Sequence, residues 1–251
     1  MKKVLTLVLA VLMLLAAVCC FAGCGKEEKK VLKMATNAYF PPYEFYEGEK
    51  IVGIDAEIAE AIAKKLGMEL VIEDMAFDSI LTAVQNGSVD FGMAGMTVTE
   101  KRLEEVNFTT SYAKGVQAII VKDGSAITSV DDLYAEGADY KVGVQLGTTG
   151  DIYATDDFGE DRVTQYTTGN EAVAALLKGD VDCVIIDNEP AKAYTANNEG
   201  VSILNTSYAD EDYAICVSKE NKDLLDKLNK AIDELIADGT IETIVNKYIK
   251  G

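Results

Sequence analysis

The sequence predicts an α/β protein made of two similar lobes. Two observations carry that expectation: short apolar runs alternate with amphipathic stretches, and one helix–glycine–strand unit recurs at a fixed offset. The composition suits a folded chain, since 49% of the 251 residues are hydrophobic and 26% are charged.

Taken in order, VLKMAT (31–36) reads as a strand. From Asp55 to Leu66 the chain carries Ile58, Ile62 and Leu66 in helical phase with Ile54, and Gly67 stops that helix. MELVIE, then Asp78 to Asn86, then VDFGMAG predict strand, helix, strand. GVQAIIV is a further strand, and YKVGVQ leads into the turn LGTTG (146–150). Asn170 to Leu177 predicts a helix, VDCVIID a strand, and Leu224 to Ile236 a long helix ending at Asp238-Gly239. Such alternation predicts largely parallel strand pairing.

The recurrence joins SILTAVQNGSVD (79–90) to EAVAALLKGDVD (171–182), an offset of 92. Leu81 then meets Val173, Val84 meets Leu176, Gly87 meets Gly179, Val89 meets Val181, and Asp90 meets Asp182. Helix–glycine–strand is a common α/β unit, so one pair proves no duplication. One unit in each half nonetheless fits two lobes. In this register Gly95 matches Asp187, each at the carboxyl end of its strand, where open α/β sheets hold ligands. The two residues should face each other across a cleft.

Charge and residue usage exclude several functions. The formal net charge is −19, against the clustered cations that a nucleic acid needs, so no nucleic-acid partner is expected. There is no histidine, which removes Ser-His-Asp catalysis and His-ligated zinc. Nothing supports a metal site, and no cofactor is expected. Cys183 and Cys216 sit in apolar strand-like runs and read as buried thiols.

The amino end reads as an address. Met1-Lys2-Lys3 is basic, and Val4 to Gly23 is almost wholly apolar. Such a run is long enough for an uncleaved transmembrane anchor. Phe21-Ala22-Gly23-Cys24, however, resembles a lipobox, with Phe in place of the usual Leu. The expectation is a leader over 1–23, lipidation of Cys24, and a charged tether over 24–30. The folded part would lie on the extracytoplasmic face of the membrane.

Several residues carry candidate chemistry. In GMAGMTVTEKR (92–102), small residues at a strand end admit close backbone approach, Thr97 and Thr99 offer hydroxyls, and Arg102 can fork onto a carboxylate. Alone, Arg102 would read as a surface charge; in this company it reads as an anion site. Thr148 and Thr149 in LGTTG offer either a second such contact or an ordinary β–α turn. Asp187 either caps the helix near Pro190 or complements a cation opposite Arg102. Taken together, Arg102 and Asp187 would recognise a zwitterion. YFPPYEF (39–45) supplies aromatic platforms, with Tyr43 and Phe45 assigned to packing, and Phe77 is another candidate wall.

TNAYFPPYEF, VGIDAEIAEAIAKKLG, FDSILTAVQNGSVDFGMAGMTVTEKR, KVGVQLGTTGD and ADGTIETIVNKYI resemble the polar amino-acid-binding proteins of bacterial ABC importers. The resemblance covers nearly all of residues 31–251. It implies a two-lobed type II periplasmic-binding-protein fold, with lobe 1 at 31–112 and 213–251, lobe 2 at 113–212, and hinges near Tyr112–Val116 and Ala209–Tyr213. It further implies stacking rings at Phe40 and Phe77, and backbone and hydroxyl contacts at Gly95 and Thr97. A carboxylate clamp falls on Arg102, Thr148 and Thr149, and the ammonium partner on Asp187. Its partners would be a free L-amino acid and ABC permease subunits, with the binding protein itself a monomer. Relatives that bind glutamine or histidine tend to have Asp where Asn37 stands, and some have Lys where Gln145 stands. The side-chain end therefore lacks an obvious formal charge, and a neutral polar side chain is expected, although Glu44 or Glu189 would favour a cation. The same fold resembles cyclohexadienyl dehydratase, an enzyme alternative in which Glu44 or Asp187 would be the acid.

Overall fold

The computed structural model describes residues 30–205 and 208–249. The leader, Cys24 and residues 25–29 of the tether lie outside these residues. Among the described residues no helix is long and apolar enough to cross a membrane.

The chain runs β1 (Val31–Thr36), β2 (Tyr39–Phe40), β3 (Glu44–Glu47), β4 (Lys50–Val52), α1 (Ile54–Leu66) and β5 (Glu69–Asp74). A 3-10 turn, Phe77–Ser79, leads into α2 (Ile80–Gln85), followed by β6 (Phe91–Gly92), α3 (Glu100–Glu105) and β7 (Val106–Phe108). The second stretch is β8 (Ala113–Lys122), α4 (Asp131–Tyr134), β9 (Val142–Gln145), α5 (Thr149–Phe158), β10 (Val163–Tyr166) and α6 (Gly169–Lys178). It continues through β11 (Cys183–Asp187), α7 (Asn188–Asn197), β12 (Val201–Ile203) and β13 (Ala209–Tyr213). The chain closes with β14 (Cys216–Ser218), α8 (Lys222–Ala237) and α9 (Thr240–Tyr248).

Two main sheets result. One has the order β5-β1-β6-β14-β7; the other is β10-β9-β11-β8-β12, with β13 also on β8. Strands β2, β3 and β4 form a small antiparallel sheet of their own. The chain leaves the first sheet after β7 and returns at β14, so β8 and β13, paired antiparallel from Ala113↔Tyr213 to Gln117↔Ala209, are the links between the sheets.

Pairing is mixed, which corrects the parallel expectation. β1 is parallel to β5 and β6, and β9 to β10 and β11. The strands that arrive from or leave for the other sheet run against their neighbours: β8 is antiparallel to β11, β12 and β13, and β14 to β6 and β7. Apolar periodicity reports which face a residue takes and carries no information on strand direction.

Local chemistry explains the elements. Helix α1 buries Ile54, Ile58, Ala59 and Ile62 on one stripe, and each large aliphatic side chain contributes about 1.5–3 kcal/mol by leaving water. Gly67 ends it in the left-handed region at φ 68°, donating its N–H to Ala63 and Lys64 carbonyls. α8 packs Leu228 and Ile232 into the same core as Leu32, Met34 and Phe91. Gly92 is needed by packing, because a Cβ there would lie 2.6 Å from Cys216 Sγ and from Ile80 Cγ2. Cys183 and Cys216 are buried, free and in different sheets, and burial pushes both thiols up to about 12.

Candidate functional site

Between the carboxyl ends of the two sheets lies a narrow cavity. Asn37, Phe40, Phe77, Gly95, Thr97, Arg102, Gln145, Thr148, Thr149 and Asp187 all line it, as do Glu44 and Ala94. Folding thus gathers these ten sequence candidates into one place, whereas Thr99 and Glu189 do not line it. The matched pair Gly95 and Asp187 stands on walls from different sheets, as the offset of 92 requires.

At one end Arg102 is 4% exposed. Thr99 caps the helix carrying it, accepting the Arg102 backbone N–H at 3.2 Å. The guanidinium donates through Nη1 to the Thr97 carbonyl (2.7 Å) and through Nη2 to the Gly147 carbonyl (3.0 Å), the latter on the opposite wall. Its Cζ lies 5.4 Å from the centre of the Phe77 ring, so Phe77 supports the cation as well as lining the cavity. Burial lowers the Arg102 pKa, opposed by the charges of Glu211 and Asp187. Thr148 caps α5, accepting the Asp151 N–H (3.3 Å), while its hydroxyl donates to the Gln145 carbonyl (2.8 Å). The turn is therefore both an ordinary β–α turn and part of the cavity wall.

Asp187 occupies the N-cap position of α7 yet makes no capping bond. Its carboxylate instead accepts Gln117 Nε2 at 2.8 Å and the hydroxyl of Tyr213. Gln117 Nε2 also donates to Glu211 Oε2 at 3.0 Å. Burial, and then the Glu211 charge, raise the Asp187 pKa well above the usual carboxylate range. An ammonium group docked here would reverse that penalty.

The remaining wall departs from expectation. Gly95 donates its N–H to Asp55 Oδ2 (2.8 Å), so a backbone contact from Gly95 to a ligand falls to its carbonyl. Gly95 sits at φ 53°, and a Cβ there would lie 2.7 Å from Phe40 Cε1. Phe40 stacks on Tyr43, with centroids 5.9 Å apart, and Tyr43 meets Tyr213 edge-on at 5.2 Å. Asn37 Nδ2 donates to the Met75 carbonyl (2.8 Å), and Asn37 Oδ1 accepts Gln145 Nε2 (2.9 Å) across the cavity. Gln145 Nε2 also reaches the Thr167 carbonyl at 3.2 Å.

Three supporting residues were not singled out from the sequence: Asp55, Gln117 and Glu211. Two of them left a signal. Asp55 lies on the buried stripe of α1 with Ile58 and Ile62, and Gln117 interrupts the apolar run GVQAIIV. A polar residue on an apolar face needs a partner, and such a residue is a site candidate.

Residues 32–251 match the bacterial extracellular solute-binding proteins, family 3. The chain belongs to that family. It is 33% identical over 262 residues to the arginine-binding extracellular protein of Bacillus subtilis, covering 100% of this chain and 99% of that one. A solved ancestral arginine-binding protein bound to glutamine is 40% identical with TM-score 0.83, covering 89% of this chain and 99% of its own. An ancestral amino acid-binding protein, a precursor of cyclohexadienyl dehydratase, is 29% identical with TM-score 0.80, covering 88% and 96%. The fold of this family-3 protein is thus the two-lobed type II architecture with its cleft between lobes.

Proposed function

We propose that this family-3 protein captures a free L-amino acid outside the cytoplasm and delivers it to the permease of an ABC importer. Arg102 clamps the α-carboxylate, helped by Thr97, Thr148 and Thr149, and Asp187 takes the α-ammonium. The observation that carries the reading is the pairing, in one cavity, of a buried guanidinium with a buried carboxylate that declines its helix cap. The lobes, 31–112 with 213–251 and 113–212, hinge along β8 and β13 and close over the ligand as a monomer.

The α-carboxylate is the point of test. A free amino acid should bind the wild type, and its α-amide should bind at least about 30-fold more weakly, since a desolvated charge pair is worth about 2–5 kcal/mol. Arg102→Ala should weaken the free acid by a similar factor and the amide little further. Equal sensitivity of acid and amide, read by calorimetric titration, would refute the clamp. Turnover of prephenate or arogenate by the purified protein would instead favour an enzyme.

Cys24 is the proposed lipid anchor. Cys24→Ser should release the protein or leave its leader uncleaved. A processed variant retained at the membrane like the wild type would exclude that anchor.

A further inference from the structure

Within that cavity, Glu44 answers to no part of a zwitterion. It is 0% exposed, it lines the cavity, and among the described residues no donor reaches either of its oxygens. Behind it stands Asp55, whose Oδ2 accepts the Gly95 N–H (2.8 Å) and the Tyr112 hydroxyl (2.9 Å) while Oδ1 has no donor. The two carboxyls are within hydrogen-bonding reach of each other, so a proton held between them satisfies the orphaned oxygens. The groups whose charge bears most on Glu44 are acids and phenols, Asp55 from α1, Asp74 from β5, Asp187 from β11, and the hydroxyls of Tyr43, Tyr112 and Tyr194, while Arg102, the cation lining the same cavity, is bonded to the Thr97 and Gly147 carbonyls. A buried carboxylate among these has no counter-charge, and its isolation costs several kcal/mol.

The charges of the cavity do not balance with a neutral amino acid. Arg102 and Asp187 answer the α-carboxylate and α-ammonium, which leaves Glu44 over. Of the two amides that suggested a neutral side chain, Asn37 bonds through both its nitrogen and its oxygen, and the Gln145 nitrogen bonds to Asn37 and to the Thr167 carbonyl, so Gln145 Oε1 is what they offer a ligand. Beside Glu44, paired with it across β2 and β3, stands the Phe40 ring. An aromatic face next to a carboxylate without a counter-charge is the pattern that recognises a cation.

We infer that the ligand carries a cationic side chain, a guanidinium or ammonium group, and that Glu44 selects it, the Glu44–Asp55 pair keeping one shared proton and yielding any second one to solvent as the cation enters. The inference rests on the reading of the cavity as an amino-acid site. Below about pH 6 the pair holds two protons and is neutral before binding, and one leaves as the cation enters, so that the charges balance; above that pH it holds one shared proton and already carries the single negative charge that the cation answers.

L-arginine and L-citrulline, which differ in side-chain charge at nearly constant shape, test it by calorimetric titration of the full chain in two buffers of different ionisation enthalpy. Arginine should bind at least about 30-fold more tightly than citrulline and, below about pH 6, release a proton, and Glu44→Gln should shrink that advantage to about threefold or less. Arginine affinity should also rise with pH between about 5 and 8 while that of citrulline stays flat. This pH dependence in the wild type decides the matter should Glu44→Gln fail to fold. Citrulline binding within threefold of arginine, or flat pH profiles for both, overturns the inference and leaves the zwitterion clamp standing. If a free acid and its α-amide bind alike, the clamp itself has failed, and the inference falls with it.

Discussion

Asp90 and Asp182 do the same thing in the two halves of the molecule. Each accepts a backbone N–H at the start of its sheet, from Lys33 and Lys141 respectively, at 2.7 Å in both cases. Each returns its own N–H to the same residue's carbonyl, at 2.9 and 2.8 Å. Five positions further on, the halves part. The first runs three residues past its strand to Gly95, whose N–H is held by the acid Asp55. The second ends in Asp187, which is itself the acid and faces the cavity. The contrast teaches where the constraint lies: the amino ends of the strands must hold a sheet together, and the carboxyl ends are free to hold a ligand.

The contrast breaks first at Asp187. Asp187→Asn keeps the shape and removes the carboxylate at the buried tip of β11, so amino-acid affinity should fall by about 30-fold or more. Unliganded stability should change by under about 1 kcal/mol, because the variant also relieves the repulsion from Glu211. Wild-type affinity in a titration of Asp187→Asn would mean that the second tip holds no ligand.

Asp55, the hidden acid of the first half, should show itself in stability. Burial raises its pKa from 3.8 to about 6, against the lowering effect of bonds from Gly95, Glu44 and Tyr112. The folded state therefore holds this proton more tightly than the unfolded one. Its contribution is fully present below about pH 4 and is lost as pH rises through about 6, of order 2 kcal/mol in all. Urea unfolding of the unliganded wild type and of Asp55→Asn should give a stability difference that moves in favour of the variant by that amount from pH 4 to pH 7. A difference that does not change with pH would place an unperturbed carboxylate behind Gly95.

The smallest effect sharpens the likeness. Asp90→Ala and Asp182→Ala each remove one backbone-capping hydrogen bond, worth about 1 kcal/mol. Thermal unfolding should give losses equal to within about 0.5 kcal/mol, with ligand affinity unchanged. One large and one negligible loss would mean that the two roots are alike in sequence only.

Much of this was legible in the residues alone. The stripe of Ile54, Ile58 and Ile62 with its Gly67 stop, the repeat that aligns Gly95 with Asp187, and the cluster around Arg102 follow from side-chain period, glycine backbone freedom and charge, all of which are local properties. The expected leader and Cys24 rest on sequence signals of the same local kind and lie outside the described residues. Tertiary structure alone decided the rest. Strand direction in β8 and β14 depends on how the chain crosses between sheets. The partnership of Asn37 with Gln145, 108 positions apart, and of Asp187 with Gln117 and Glu211, depends on which side chains a closed cavity brings within 3 Å. Glu44 is the sharpest case: an ordinary acid in a string of aromatics becomes a buried carboxyl without a donor among the described residues, because burial and the placing of Asp55 beside it are properties of the packed whole.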